Sequence, residues 1–182
     1  FTIDPNGTAS VTVTPTPGTE KVKWKFMGET GEDIDGTDIV SLSNRGNTWT
    51  ITGREPGELR MYAYVGDGSG ANQRTDTITV TVSGIVVDTK PIELQENQIL
   101  PLPEAKAYGT AASGAVKYVV SDGYIAQVVK GNSVKGYTPG STAIIVSDQK
   151  NIYKVSIPLT VVNDPSTTIE YSRTLRSGEA LS

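Results

Sequence analysis

The chain has 182 residues, of which 36% are hydrophobic and 20% are charged, and its formal net charge is −4. That length allows one large domain or two small ones, and the composition suits β-domains that each bury one thin layer. The sequence contains no cysteine and no histidine, which excludes thiol or histidine nucleophile systems, histidine-built metal sites and disulfides.

The patterns of charge and hydropathy argue against a nucleic-acid partner and against insertion into a membrane. No run of like charge would match a phosphate backbone, so we expect no nucleic-acid partner. No apolar stretch approaches the roughly 20 residues that a membrane-spanning helix needs, so we expect no membrane insertion. The chain opens at Phe1 rather than at methionine, and we therefore expect a processed or excerpted part of a longer protein.

Alternation of apolar and polar residues at period two recurs along the chain and predicts an all-β protein. In the first half, the predicted strands lie at residues 10–14, 22–26, 48–52, 59–65 and 77–82. In the second half, they lie at residues 85–87, 92–94, 99–102, 116–120, 125–129, 133–134, 143–146 and 153–162. Short strands at this density, bounded by turn residues, are typical of β-sandwiches.

The two halves repeat one sequence plan. Residues 51–57 (ITGREPG) match residues 134–140 (VKGYTPG) in their apolar, glycine and Pro-Gly positions, and the flanking apolar positions follow in the same order. We therefore predict two copies of one unit, at residues 1–83 and 84–162, joined by almost no free chain. Residues 163–182 break the pattern and are predicted to be a linker or a docking tail.

An aromatic third strand, the turn V/I-x-G-x-x-P-G, alternating apolar residues and a threonine-rich final strand resemble the bacterial and phage immunoglobulin-like (Big-type) domains. The resemblance covers residues 1–162 in two copies, although the first copy has a longer insertion before the turn and lacks a clear first strand. It implies two tandem immunoglobulin-like β-sandwiches. It also implies a non-catalytic role outside the cell, on a bacterial surface or a phage virion.

Glycine and proline residues in the two matching turns are predicted to be structural. Proline fixes φ and the following glycine accepts a positive φ, so the chain can reverse into the next core strand. These residues are Gly53, Pro56, Gly57, Gly136, Pro139 and Gly140.

The acidic segment at residues 32–38 is a candidate metal site. Asp33, Asp35 and Asp38, together with a glycine for a tight turn, offer Ca²⁺ several oxygen ligands. The spacing does not match the helix-loop-helix calcium pattern, and charged residues clustered in a loop usually face water. We favour a solvated loop, keep calcium as the alternative and expect no other cofactor. A carboxylate pair on one loop rarely holds the separation that glycoside hydrolysis needs, so we predict no enzyme.

The outward face of the first copy is the candidate binding surface. If the alternate apolar residues of its long central strand point inward, Arg60, Tyr62 and Tyr64 point outward, and a neighbouring strand adds Lys23 and Lys25. An aromatic and basic surface of this kind can stack on sugar rings or meet an acidic protein. Tyrosine and threonine also favour strands in general, so an exposed sheet without a ligand is the alternative.

Three functions remain open on the sequence alone. The first is a stalk or decoration within a larger bacterial surface, secreted or phage virion protein, with neighbouring domains or surface proteins as partners. The second is an adhesive module that binds glycans or a host-cell surface through the outer sheet or the loop tips. The third is a set of accessory domains in a secreted hydrolase. The short join favours the first, because it fixes the direction in which neighbouring domains are held.

Overall fold

A computed structural model of the chain describes residues 1–15, 21–68, 74–109, 114–130 and 132–165. The described residues form sixteen β-strands, and they include no helix that could span a membrane. Most of the predicted tail, residues 166–182, lies outside the described residues. In the first half the strands are β1 (Thr2–Ile3), β2 (Thr8–Thr12), β3 (Lys23–Met27), β4 (Val40–Arg45), β5 (Thr48–Gly53), β6 (Gly57–Tyr64) and β7 (Ile78–Val82). In the second half they are β8 (Gly84–Val87), β9 (Ile92–Gln95), β10 (Ile99–Pro101), β11 (Ala105–Tyr108), β12 (Val116–Val120), β13 (Ala126–Val129), β14 (Ser133–Gly136), β15 (Gly140–Asp148) and β16 (Lys154–Val162).

The first seven strands form two sheets. One sheet has the order β1-β7-β6-β3 and the other has the order β2-β5-β4. Neighbouring strands are antiparallel except for β1, which lies parallel to β7. This division is the immunoglobulin-like one, in which the second, fourth and fifth strands share one sheet and the third, sixth and seventh share the other.

The same strand order recurs in the second half. One sheet runs β9-β16-β15-β12, the other runs β10-β14-β13, and β8 pairs with β11 as a two-stranded ribbon. The first strand of the four-stranded sheet, β9, again lies parallel to the last, β16. Strand β10 ends at Pro101, and Pro103 lies between β10 and β11, where it has no N–H to donate to a neighbouring strand. The chain therefore folds as two tandem immunoglobulin-like β-sandwiches, as the sequence predicts.

Three strands are present that the alternation pattern does not predict. The first copy does have a first strand, because β1 pairs with β7 over two residues. Strand β4 lies inside the long insertion, where only Val40 and Leu42 carry an apolar alternation. Strand β11 is defined by its pairing with β8. Short strands of this kind owe their extended conformation to a distant partner rather than to their own pattern.

Buried apolar residues form two separate clusters, one in each sandwich. The first cluster consists of Ile3, Val40, Ile51, Leu59, Met61, Val80 and Val82. The second consists of Ile85, Leu94, Leu102, Ala107, Ala126, Val134, Ile144, Val146, Ile157, Leu159 and Val161. In the first sandwich, Trp24 of one sheet also meets Trp49 of the other, with ring centroids 5.7 Å apart and planes at 72°. Each sandwich thus has an apolar core of its own.

The first glycine of each matching turn is explained by a close approach of the backbone. Gly53 ends β5 and Gly136 ends β14, and both are buried. A Cβ atom on Gly53 would lie 2.7 Å from the main-chain oxygen of Asp4, and one on Gly136 would lie 2.9 Å from that of Gln95. Because Asp4 follows β1 and Gln95 ends β9, the same strand passes the same glycine in both sandwiches.

The second glycine plays the predicted role in one of the two turns. Gly140 has a positive φ of 157°, as predicted, whereas Gly57 is not among the glycines with positive φ. Space constrains both positions as well, because a Cβ atom on Gly57 would lie 3.0 Å from Ile39, and one on Gly140 would lie 3.0 Å from Ile125. The two isoleucines occupy matching places just before β4 and β13, so the repeat extends to the packing of the turns.

Candidate interaction surface

The outward face of strands β3, β6 and β7 carries the residues predicted for binding. Alternate residues of β6 are buried in the core, which leaves Arg60, Tyr62 and Tyr64 half-buried on the other face. The antiparallel register sets Lys25 opposite Tyr62 and Lys23 opposite Tyr64. The structure therefore brings all five predicted residues onto one surface, which we call the outer face.

The two tyrosines do not form one flat platform. The ring centroids of Tyr62 and Tyr64 are 6.2 Å apart, and the ring planes are tilted by 57°. The Nζ atom of Lys23 lies 5.6 Å from the centroid of Tyr64 and donates a hydrogen bond to the main-chain oxygen of Gly66 at 3.0 Å. A flat ligand such as a sugar ring could stack on one of these rings at a time.

Lys25 is paired with one of the aspartates of the acidic segment. Its Nζ atom lies 2.5 Å from Oδ2 of Asp33, and this hydrogen bond raises the pKa of Lys25. The pairing is possible because the chain after β3 folds back, so that Asp33 forms a bridge with Met27. The positive charge of Lys25 is therefore balanced within the first sandwich.

Arg60 lies beneath the same folded-back segment. Its guanidinium group fills the space beside Gly31, where a Cβ atom would lie 2.7 Å from Nη2. Hydrogen bonding from Thr30, and more weakly the charge of Arg60, lower the pKa of Glu32. Glu58 also lies on the outer face, where it accepts a hydrogen bond from Thr81 at 3.0 Å. The outer face is thus mixed in charge rather than basic, because carboxylates surround its cations.

Two of the three aspartates predicted as possible calcium ligands have separate local partners. Asp33 pairs with Lys25, and Asp35 accepts the N–H of Thr37 at 3.1 Å. Hydrogen bonding to Thr37 lowers the pKa of Asp35. Within the part of the chain that the structure describes, no group of three or more acidic, histidine or cysteine side chains is placed to hold a metal ion. The fold does not bring Asp33, Asp35 and Asp38 together in the way the calcium alternative requires.

Sequence reasoning missed a buried carboxylate in the second sandwich. Asp148, at the end of β15, is fully buried, and it accepts the main-chain N–H groups of Lys150 at 3.0 Å and Tyr153 at 2.8 Å. Burial alone would raise the pKa of Asp148, but hydrogen bonds from Tyr153, Lys150 and Ile152 outweigh it and lower the pKa. An aspartate two residues after a predicted strand, followed by a short polar turn, is the signal that identifies such a residue.

We expect the second sandwich to lose stability in acid through Asp148. The pKa of Asp148 in the folded protein is held below the usual value of 3.8. The ionised carboxylate therefore stabilises the fold above pH 3.8, and this stabilisation is lost as the pH falls through the pKa of the folded state. Asp148→Asn should lower the unfolding temperature near neutral pH, and the difference from wild type should shrink in acid. Thermal unfolding from about pH 7 to about pH 3 measures both effects.

The matched control for Asp148 is Asp76→Asn, which changes an exposed aspartate of the first sandwich. This control should follow the wild-type protein across the same pH range. An Asp148→Asn variant as stable as wild type near neutral pH would show that the turn does not depend on the carboxylate.

No protein-family model matches the sequence, and no curated protein matches it. Among solved structures, extracellular domains 3–5 of Drosophila OTK align with a TM-score of 0.46 and 7% identity over 90% of this chain and 61% of that one. The insect immune protein hemolin aligns with a TM-score of 0.41 and 16% identity over 90% of this chain and 44% of that one. Domains 4 and 5 of the S-layer protein SbsC align with a TM-score of 0.38 and 17% identity over 83% of this chain and 81% of that one. This chain thus spans less than two thirds of the first two proteins, and its fold assignment stands on its own strand order.

Proposed function

We propose that the chain is a non-catalytic stalk or display module of the bacterial immunoglobulin-like type. In this proposal it belongs to a larger bacterial surface, secreted or phage virion protein and works outside the cell. Its partners are the neighbouring domains of that protein, or other proteins of the virion or cell surface. The sequence resemblance and the two-sandwich fold support this function, and the absence of cysteine and histidine from the sequence removes most nucleophile-based chemistry.

The pairing of first and last strands carries the proposal. In the first sandwich β1 lies parallel to β7, and in the second β9 lies parallel to β16. Ser83 N–H donates to Ile3 at 2.9 Å, and Glu96 N–H donates to Val162 at 2.9 Å. Because the paired strands run in the same direction, a force that pulls the chain ends apart slides them past each other. The hydrogen bonds between them then resist together in shear, which suits a stalk.

The join between the sandwiches supports the same function. Only Ser83 separates the last strand of the first sandwich, β7, from the first strand of the second, β8. A one-residue connection allows little movement between the sandwiches, so the position of the first restricts the position of the second. We therefore propose two domains, at residues 1–83 and 84–162, each around one of the two apolar clusters.

Pulling single molecules by their ends tests the stalk. Glu96→Pro removes the N–H that bonds Val162, a contact worth about 0.5–1.5 kcal/mol at equilibrium. We expect the unfolding force of the second sandwich to fall in this variant and that of the first to stay unchanged. The matched control is Glu96→Ala, which keeps the main-chain donor. Equal unfolding forces for the two variants would contradict shear loading of the β9–β16 pair.

Adhesion through the outer face is the second candidate function. The observation that favours it is the pair of tyrosines on adjacent alternate positions of β6, with ring centroids 6.2 Å apart. The rings of Tyr62 and Tyr64 provide a surface on which sugars of a bacterial or host cell could stack. The local pairing of Lys25 and the covered position of Arg60 favour a neutral ligand over an acidic one.

Binding to a broad glycan panel and to intact bacterial cells separates the two functions. The stalk function predicts that folded wild-type chain binds no better than a Tyr62→Ala/Tyr64→Ala variant. The control is Tyr124→Ala in the second sandwich, which removes a tyrosine that is 88% exposed and lies outside the outer face. Specific binding that is lost in the double variant and kept in the control would make adhesion the function instead.

A further inference from the structure

Side chains of the two sandwiches meet beside the one-residue join. Both carboxylate oxygens of Glu29, in the segment after β3, accept hydrogen bonds from Lys106 at 2.7 Å. Tyr108 donates a third hydrogen bond to Glu29 at 3.0 Å. Lys106 and Tyr108 are two residues apart on β11 and therefore share one face of that strand. One carboxylate of the first sandwich thus holds two neighbouring side chains of the second.

The charges of this contact support one another. Hydrogen bonds from Lys106 and Tyr108 lower the pKa of Glu29, and the bond to Glu29 raises the pKa of Lys106. The Nζ atom of Lys106 also lies 4.7 Å from the ring centroid of Tyr108, where the aromatic face attracts a cation. A charged pair with a shared aromatic neighbour has a more defined geometry than an isolated surface ion pair.

A second contact joins the sandwiches through other elements. Tyr153, between β15 and β16, donates a hydrogen bond to Oδ1 of Asp4, after β1, at 2.6 Å. Tyr153 follows the turn that Asp148 holds through its main-chain N–H groups. The buried carboxylate therefore positions a residue that reaches across to the first sandwich.

The backbone at the join is enclosed as well. Gly84 has a φ of 143°, and a Cβ atom there would lie 2.5 Å from the ring of Pro56. A Cβ atom on Gly109, which follows β11, would lie 2.2 Å from Oγ of Ser83, and Ser83 is only 3% exposed. Residues of both sandwiches therefore close around the connection and leave little room for rotation.

We propose that Glu29 with Lys106 and Tyr108, and Asp4 with Tyr153, form a brace that holds the two sandwiches in one fixed relative orientation. Without such contacts, relative motion is the usual behaviour of domains joined by a small interface. The brace deepens the stalk function and rests on it for its biological role, because a stalk transmits direction only if its joints do not turn.

Distances between two spin labels test the brace directly. The native chain has no cysteine, so labels can be attached at Ser43→Cys and Val128→Cys, one exposed position on each sandwich. We expect a single narrow distance distribution, and a width about twice as large when Glu29→Ala and Tyr153→Phe are combined. The control is Glu93→Ala, an exposed carboxylate on β9, which should leave the width unchanged.

Two results would overturn the brace. The first is a broad distribution in the wild-type chain, and the second is a distribution in the Glu29→Ala/Tyr153→Phe variant as narrow as that of wild type. Circular dichroism of each labelled variant confirms that both sandwiches remain folded. Because the pulling experiment concerns strands within a sandwich, failure of the brace leaves the test of the stalk function intact.

Discussion

Replacing Ile144 with alanine is expected to destabilise the second sandwich by about 2–5 kcal/mol and to leave the first almost unchanged. Ile144 is fully buried in the second apolar cluster, and its loss removes apolar contacts and leaves a cavity. Since a small domain is stable by only about 5–15 kcal/mol, this is a large part of its total stability. The reciprocal variant, Leu59→Ala, removes a fully buried residue of the first cluster.

The positions of the two tryptophans allow the sandwiches to be followed separately. Trp24 and Trp49 are the only tryptophans in the sequence, and both belong to the first sandwich. Tryptophan fluorescence in denaturant therefore reports the first sandwich, while circular dichroism reports both. Ile144→Ala should move the circular dichroism transition and not the fluorescence transition, and Leu59→Ala should move the fluorescence. If Ile144→Ala shifted both transitions equally, the two sandwiches would unfold as one cooperative unit and not independently.

Gly136→Ala is the second substitution with a large expected effect. The new Cβ atom would lie 2.9 Å from the main-chain oxygen of Gln95 and 3.0 Å from Val161. Strand β9 is hydrogen-bonded to β16 and Val161 is packed in the core, so neither can move away freely. We therefore expect the free energy of unfolding to fall by about 1–3 kcal/mol, which is typical of overpacked cores. Chemical denaturation followed by circular dichroism measures the change in the free energy of unfolding.

Gly123→Ala provides the matched control in the same sandwich. Its new Cβ atom would meet Gln127 at 3.9 Å, which is ordinary contact, and alanine also lowers the entropy of the unfolded chain. The control should therefore be neutral or slightly stabilising. A Gly136→Ala variant as stable as the control would show that β9 can shift to accommodate a side chain.

The repeat made the fold predictable, because matching residues meet matching constraints. Gly53 and Gly136 are passed by equivalent strands, and Gly57 and Gly140 are packed against equivalent isoleucines. The sequence pointed to these positions and predicted a positive φ, which Gly140 has and Gly57 does not, whereas the lack of space at both positions was not predicted. A match between two copies reveals that a residue is constrained, whereas the constraint itself depends on strands distant in the chain.

The sequence predicts which residues form the outer face, but it does not predict how their charges are balanced. Alternation is a local property, so the pattern of β6 placed Arg60 and the tyrosines on one side. The pairing of Lys25 with Asp33 depends on how the chain folds back after β3, which period two does not describe. The contact of Glu29 with Lys106 joins residues on different sandwiches, and no short-range pattern in the sequence marks either of them.

The parallel pairing of first and last strands has a consequence for growth of the array. Because the first and last strands of a sandwich run in the same direction, the first strand begins at one end of the sandwich and the last strand finishes at the opposite end. The exit of one copy is therefore already placed at the entrance of the next, as in the passage from β7 to β8. Gene duplication can therefore add further copies without a new connecting turn, and the number of copies then sets the length of the protein.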